Sequence, residues 1–245
     1  MDRDIYKMGN SVWVHASVPW QQDIITSYLR SIHPKEWASV IDLGTGIGNN
    51  LKSLEKIVRG VTVVDVSEFA LSRLKKSYKN KFKRLNIIQE DLNTVKFLEC
   101  SFDIVLMTEV IEHLENPEVI LKKIMKILKP GGYLIISIPN YLNVAGIWKK
   151  VAEKLFKKTW DAWGNHEEGI ENFMTVPKLK RWLRQESFIP LKERGGDVIR
   201  SWFPFLRKQY NFIDRHPMMV FGKIWPIKYF LMNYFILCQK PNSPQ

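Results

Sequence analysis

VIDLGTGIGNN, residues 40–50, is the stretch that decides the fold. An apolar run, SVIDLG (39–44), ends in Gly44, and two more glycines follow at alternate positions, Gly46 and Gly48. Glycine allows the backbone angles of a tight turn and lets a ligand approach the main chain. From Ile47 to about Val58 the pattern is helical, so the turn would deliver free N–H groups at a helix start. A strand, a glycine turn and a helix open a nucleotide-binding α/β unit. Position 49 carries Asn49, so the spacing is GxGxG and not the GxGxxG of dinucleotide sites.

Working outward, residues 20–32 have amphipathic helical spacing, within an N-terminal helical segment of residues 1–37. VTVVDV (61–66) is a second strand, and Ser67 is the N-cap of a helix through Tyr78. LNIIQED (85–91) and FDIVLMT (102–108) are strands three and four. A helix from about Pro117 to Leu128 is stopped by Lys129-Pro130-Gly131-Gly132, and YLIISIP (133–139) is strand five. TVPKLKRWLRQESF (175–188) is helical, 189–199 is strand six, and YFLMNYFILCQK (229–240) is a buried final strand. Strands alternating with helices predict a doubly wound α/β fold, its mostly parallel sheet covered on both faces. Residues 140–173 are a long Trp- and Lys-rich stretch and 200–228 have no clear period; both are expected to be cap insertions on a single domain, 1–245, whose cofactor-binding core is 38–140.

The 245 residues suit one such domain. Apolar content of 45% and charged content of 25% match a soluble globular protein. No basic-then-apolar leader is evident, so a cytoplasmic location is expected. Cys100 and Cys238 lie in apolar surroundings and are expected to be reduced core thiols. The net charge of +12 comes from runs at 75–84, 122–129, 149–158 and 178–184. Lysines at helical spacing point to solvated helix faces. Nucleic acid or an anionic membrane surface is the alternative reason. Lys223, Pro226 and Lys228 break the apolar segments near the end, so a transmembrane span is not expected.

Asp65, ending the second strand, can accept two hydrogen bonds from a ribose diol, which points to an adenosine-containing cofactor at the sheet's switch point. MTEVIEHLENP (107–117) places Glu109, Glu112 and His113 where the fourth strand leaves the core. Imidazole suits a base near neutral pH. The alternative is that the glutamates shape a helix start while His113 packs against the cofactor.

VIDLGTGIG, VTVVDVS, QEDL, FDIVLMTEVIEHL and LKPGGYLIISIPN, in this order, resemble the class I S-adenosylmethionine-dependent methyltransferases, closely over about 38–140. Thr45 stands where that family usually has cysteine. The resemblance implies a Rossmann-like, seven-stranded sheet whose last strand is antiparallel. It also implies that Gly44, Thr45, Gly46 and Gly48 line the methionine part of S-adenosyl-L-methionine, and that Asp42 holds the turn and approaches the amino group. Asp65 with Val66 would meet the ribose, and Asp91 with Leu92 the adenine. Thr108 and Glu109 would border the sulfonium. In relatives with ExxEH, among them ubiquinone-pathway O-methyltransferases and 3′-terminal small-RNA methyltransferases, such residues can hold a divalent metal. Here Glu109, Glu112, His113 and the later His166 would be the candidates, and His166 is also a second candidate base. The metal is the secondary expectation.

Thr108-Glu109-Val110-Ile111 occupies the place of the Asn/Asp-Pro-Pro-aromatic turn of amino-methylating DNA enzymes. No Pro-Cys motif for pyrimidine chemistry and no RNA-binding module is recognisable. A small-molecule acceptor therefore leads, through a hydroxyl (sugar, phenol or quinone, or lipid-linked) ahead of an amine. An RNA-modifying enzyme and a non-catalytic S-adenosylmethionine-binding protein are the alternatives. Trp148, Trp160, Trp163, Trp202, Phe203 and Phe205 are expected to wall an apolar acceptor pocket or touch a membrane surface, with plain core packing as the alternative.

Overall fold

A computed structural model of the chain describes residues 19–156, 172–197, 202 and 221–242. Helix α1 (Pro19–Ser31) precedes β1 (Val40–Leu43), the short α2 (Leu51–Leu54), β2 (Gly60–Asp65), α3 (Glu68–Tyr78) and β3 (Arg84–Gln89). Then come β4 (Phe102–Thr108), α4 (Pro117–Ile127), β5 (Leu128–Pro139) and α5 (Val144–Phe156). Helix α6 (Val176–Gln185), β6 (Ile189–Gly196) and β7 (Asn233–Gln239) follow. Single 3-10 turns sit at Ile111–His113 and Ile227–Phe230.

The seven strands form one sheet in the order β3-β2-β1-β4-β5-β7-β6, with β7 antiparallel to β5 and β6 and the remaining pairs parallel. From β1 the chain winds to β2 and β3 on one side, then crosses to β4 on the other. The carboxyl ends of β1 and β4 therefore diverge, and such a switch point is where this architecture opens a crevice.

Period-two alternation sorts the strand residues into two cores. Ile41 and Leu43, Val105 and Met107, Leu134 and Ile136, and Tyr234 and Ile236 face the layer of α4 and α6. Val40, Ile104 and Leu106, Ile135, and Phe235 and Leu237 face α1, α2 and α3. The inner strands are buried on both faces, which is why they read as unbroken apolar runs. Ser67 caps α3 by accepting the Ala70 N–H, as its position predicts.

Three expectations need correction. The helix after the glycine turn is not Ile47–Val58 but only Leu51–Leu54, because Gly46 (φ 55°) and Gly48 (φ 88°) hold left-handed angles that no right-handed helix contains. Strand β5 starts at Leu128, not Tyr133. Leu128 pairs with Phe102 and Tyr133 with Ile104, so Lys129–Gly132 form a bulge within the strand, with Gly131 at φ 73°. Cys100 is exposed, at φ 51°, whereas Cys238 is buried in the core as expected. Most lysines of α3 and α4 are solvated, but Lys149 is buried against Glu153 at 2.8 Å. Among the described residues, no helix is long and apolar enough to cross a membrane. Of the expected aromatic wall, Trp148 is half-buried and Trp202 exposed; Trp160, Trp163, Phe203 and Phe205 lie outside the described residues.

Candidate active site

The tips of β1, β2, β4 and β5 build the site. Gly44, Gly46 and Gly48 all take positive φ, at 67°, 55° and 88°. A β-carbon on Gly44 would lie 2.5 and 2.7 Å from the methyls of Val110, and one on Gly48 would lie 2.6 Å from Leu51. A β-carbon on Gly46 would meet nothing within 4 Å, so of the three glycines the middle one has open space on its side-chain face.

Asp42 is fully buried, and both its oxygens face into the turn. Oδ2 accepts from Thr45 Oγ1 at 2.7 Å, and Oδ1 accepts from Asn50 Nδ2 at 2.8 Å. Burial raises its pKa to about 6 against the opposing pull of these two bonds, and nearby Asp65 adds to the rise. Asp42 therefore holds the turn as expected. The whole side chain is buried at the base of the turn.

Asn50 also reaches across to β4, its Nδ2 donating to Thr108 Oγ1 at 2.9 Å. This carboxamide therefore ties the ends of β1 and β4 together across the switch point.

Asp65 closes the other side. Its Oδ2 accepts the Gly46 N–H at 2.7 Å and its Oδ1 the Ser67 N–H at 2.9 Å. Burial raises its pKa, while these bonds and one from the Val66 N–H lower it. Asp65 and the half-buried Val66 thus stand beside the open Gly46. Asp91 Oδ1 accepts from the Asn93 backbone at 2.8 Å, shaping the turn after β3, with Leu92 buried beneath it.

Glu109 directly follows Thr108, the last residue of β4. Its carboxylate turns towards β5 and β7, where Oε1 accepts from Ser137 Oγ at 2.6 Å and Oε2 from Asn233 Nδ2 at 3.0 Å. Its own N–H donates to Ser137 Oγ at 3.1 Å. Together these bonds fix the backbone at φ 53°, a left-handed angle unfavourable for a side chain that is not glycine. Glu112 is buried in the 3-10 turn, and His113 Nε2 stands 3.7 Å from its Oε1, with the imidazole partly exposed. Asn172 straps this turn from outside: its Nδ2 donates to the carbonyls of Glu112 at 3.0 Å and Leu114 at 2.8 Å.

Of the proposed metal set, Glu109 is engaged elsewhere, and His166 lies outside the described residues. Among the described residues no group of three or more His, Cys, Asp or Glu could hold a metal ion. The sequence reading missed Asn50, Ser137, Asn172 and Asn233. These neutral side chains act through tertiary bonds and leave no local pattern.

Residues 41–136 match the family described as methyltransferase domain. The mitochondrial ubiquinone biosynthesis O-methyltransferase of Schizosaccharomyces pombe is 26% identical over 239 residues, covering 96% of this chain and 81% of that protein. A ubiquinone biosynthesis O-methyltransferase of Xanthomonas oryzae is 26% identical, covering 77% of this chain and 76% of that protein. The S-adenosylmethionine-dependent methyltransferase of Mesorhizobium loti shares the fold, with a TM-score of 0.58 at 15% identity, over 87% of this chain and 96% of that one. With the sheet order and the glycine turn, these matches define a Rossmann-like methyltransferase. Taken together they support a class I S-adenosylmethionine-dependent methyltransferase.

Proposed function

We propose that this enzyme methylates a hydroxyl of a small, partly apolar acceptor. The observation that carries the acceptor class is the reach of the fission-yeast match. It covers 96% of the chain, well beyond the 41–136 segment that the methyltransferase domain alone accounts for. That relative is named for ubiquinone biosynthesis, so a phenol or quinol ring is the first acceptor class to test. A cytoplasmic location and one domain are part of this reading, with 140–173 and 200–228 as cap insertions, of which 157–171, 200–201 and 203–220 lie outside the described residues.

S-adenosylmethionine supplies a methyl group on a cationic sulfur. In this proposal Gly44, Thr45, Gly46 and Gly48 receive its methionine part along the open side of Gly46. Asp65 and Val66 take the ribose, Asp91 and Leu92 border the adenine, and Thr108 and the Glu109 backbone face the sulfonium. Glu109's side chain fixes that backbone through Ser137 and Asn233. His113, partly exposed beside Glu112, is the proposed base that receives the acceptor's hydroxyl proton.

The test is methyl transfer from labelled S-adenosylmethionine to a panel of catechols, simple alcohols and amines. Product on the amines alone would overturn the hydroxyl proposal. With an alkyl hydroxyl acceptor, His113→Ala should lower kcat by about 10²–10⁴-fold with cofactor affinity nearly unchanged. Near-normal turnover in that variant would remove His113 as the base.

A further inference from the structure

The face of α5 that points outward is apolar. Val144, Ile147, Val151 and Leu155 follow one another at three- and four-residue steps, one stripe along the helix. Ile147 is 67% exposed, Leu155 68% and Val151 42%, and Phe156 at the helix end is 59% exposed. A helix packed into a core hides such a stripe. Here the opposite side does the packing: Ala145 and Ala152 are buried, with Ala145 against Tyr141 and Met232.

The charges have their own order. The only acidic side chain of α5, Glu153, pairs with Lys149 on the inward side at 2.8 Å. Lys150 and Lys154 are exposed and flank the stripe along one border. Lys150 Nζ also lies 4.4 Å from the ring centre of Phe173, which holds it at that border. An apolar row edged by lysines on a helix of 13 residues has the pattern of a helix lying in a membrane interface.

We propose that the outer face of α5 docks on an anionic lipid surface. The aliphatic row enters the headgroup boundary and Lys150 and Lys154 meet the lipid phosphates. Charge complementarity selects this occupant. A second copy packed antiparallel, stripe to stripe, would bring like-charged lysine rows together, and the chain's net charge of +12 favours an anionic surface. Helix α5 starts just after β5 ends at the mouth of the site, so docking sets that mouth beside the lipid. The proposal stands apart from the acceptor's identity, because its test needs no methyl transfer.

The test is sedimentation of the full chain with phosphatidylcholine vesicles and with phosphatidylcholine–phosphatidylglycerol vesicles. The expected result is binding to the mixed vesicles, weakened by salt and much weaker on phosphatidylcholine alone. Lys150→Glu with Lys154→Glu should lower that partition at least about tenfold, since each lysine near an anionic surface contributes about fivefold. Ile147→Glu with Leu155→Glu should abolish it. All four positions are on the surface, and S-adenosylhomocysteine binding and the thermal midpoint verify that both variants are folded. Failure of the unaltered chain to sediment with mixed vesicles would overturn the proposal, as would equal binding to both vesicle types or unchanged binding by the folded variants. A dimer that Ile147→Glu dissociates, in a chain that ignores vesicles, would assign the face to a second copy instead.

Discussion

Gly44 has no space for a side chain, because Val110 closes over it and its φ of 67° excludes most residues. Gly44→Ala should destabilise the protein by about 1–3 kcal/mol and weaken cofactor binding. Adding Val110→Ala removes the two methyls at 2.5 and 2.7 Å and should restore part of the stability, leaving the backbone strain. Urea titration of the single and double variants checks this; strict additivity would deny the contact. Asp42 makes a second prediction. Its folded pKa, about 6, lies above the usual 3.8. The folded chain therefore keeps this proton where the unfolded chain has lost it, and Asp42's contribution to stability falls as pH rises from about 4 to 6. Asp42→Asn should remove that fall, so variant and parent should diverge across the window in denaturant midpoints; parallel curves would refute the shift. The three glycines and Asp42 were legible in sequence because a tight turn demands them. Asn50 was not, since a carboxamide bridging Asp42 to Thr108 is a tertiary event.

Among the elements, β6, α6 and the 3-10 turn Ile227–Phe230 meet at one carboxylate. Glu193 accepts from Lys180 Nζ at 2.6 Å, Tyr229 Oη at 2.8 Å and Lys228 Nζ at 3.0 Å. Burial alone would raise its pKa, but these three bonds outweigh burial and hold it at about 2. A depressed carboxylate stabilises the fold above its unfolded pKa of about 4.5, and this contribution is lost as pH falls from there towards 2. Glu193→Gln should be less stable at neutral pH by about 1–3 kcal/mol and flatter through that acid window. Thermal midpoints at successive pH values test it, and an acid limb as steep as the parent's would refute it. The strands and long helices were legible from periodicity and capping: β4 is Phe102–Thr108 as expected, and α3 follows Ser67. Helix α2 and the start of β5 were not, because glycine dihedrals and a bulge are set by the partners they pack against.

For the molecule as a whole, the sheet order makes the proposed cofactor site a joint between two halves, β3-β2-β1 and β4-β5-β7-β6. The first half and its glycine turn were legible because their chemistry is local. The acceptor side was less so: Asn172, Ser137 and Asn233 bind segments far apart in the chain. A ligand spanning the tips of β1, β2 and β4 should stabilise both halves together. S-adenosylhomocysteine at one hundred times its Kd should add about 2.7 kcal/mol. For a chain of this size that raises the thermal midpoint by about 5–10 °C in one cooperative transition. Asp65→Ala should weaken cofactor binding by about 10–100-fold, as loss of charge-assisted hydrogen bonds does. At the same ligand concentration the variant should keep only about 0.4–1.4 kcal/mol of that stabilisation. Calorimetric melting of both proteins decides it. No shift in the parent would refute the proposed placement of the cofactor. Equal shifts would refute the assignment of Asp65 while leaving the glycine turn in place. A shift confined to one of two separate transitions would show that the ligand grips one half of the sheet rather than the joint.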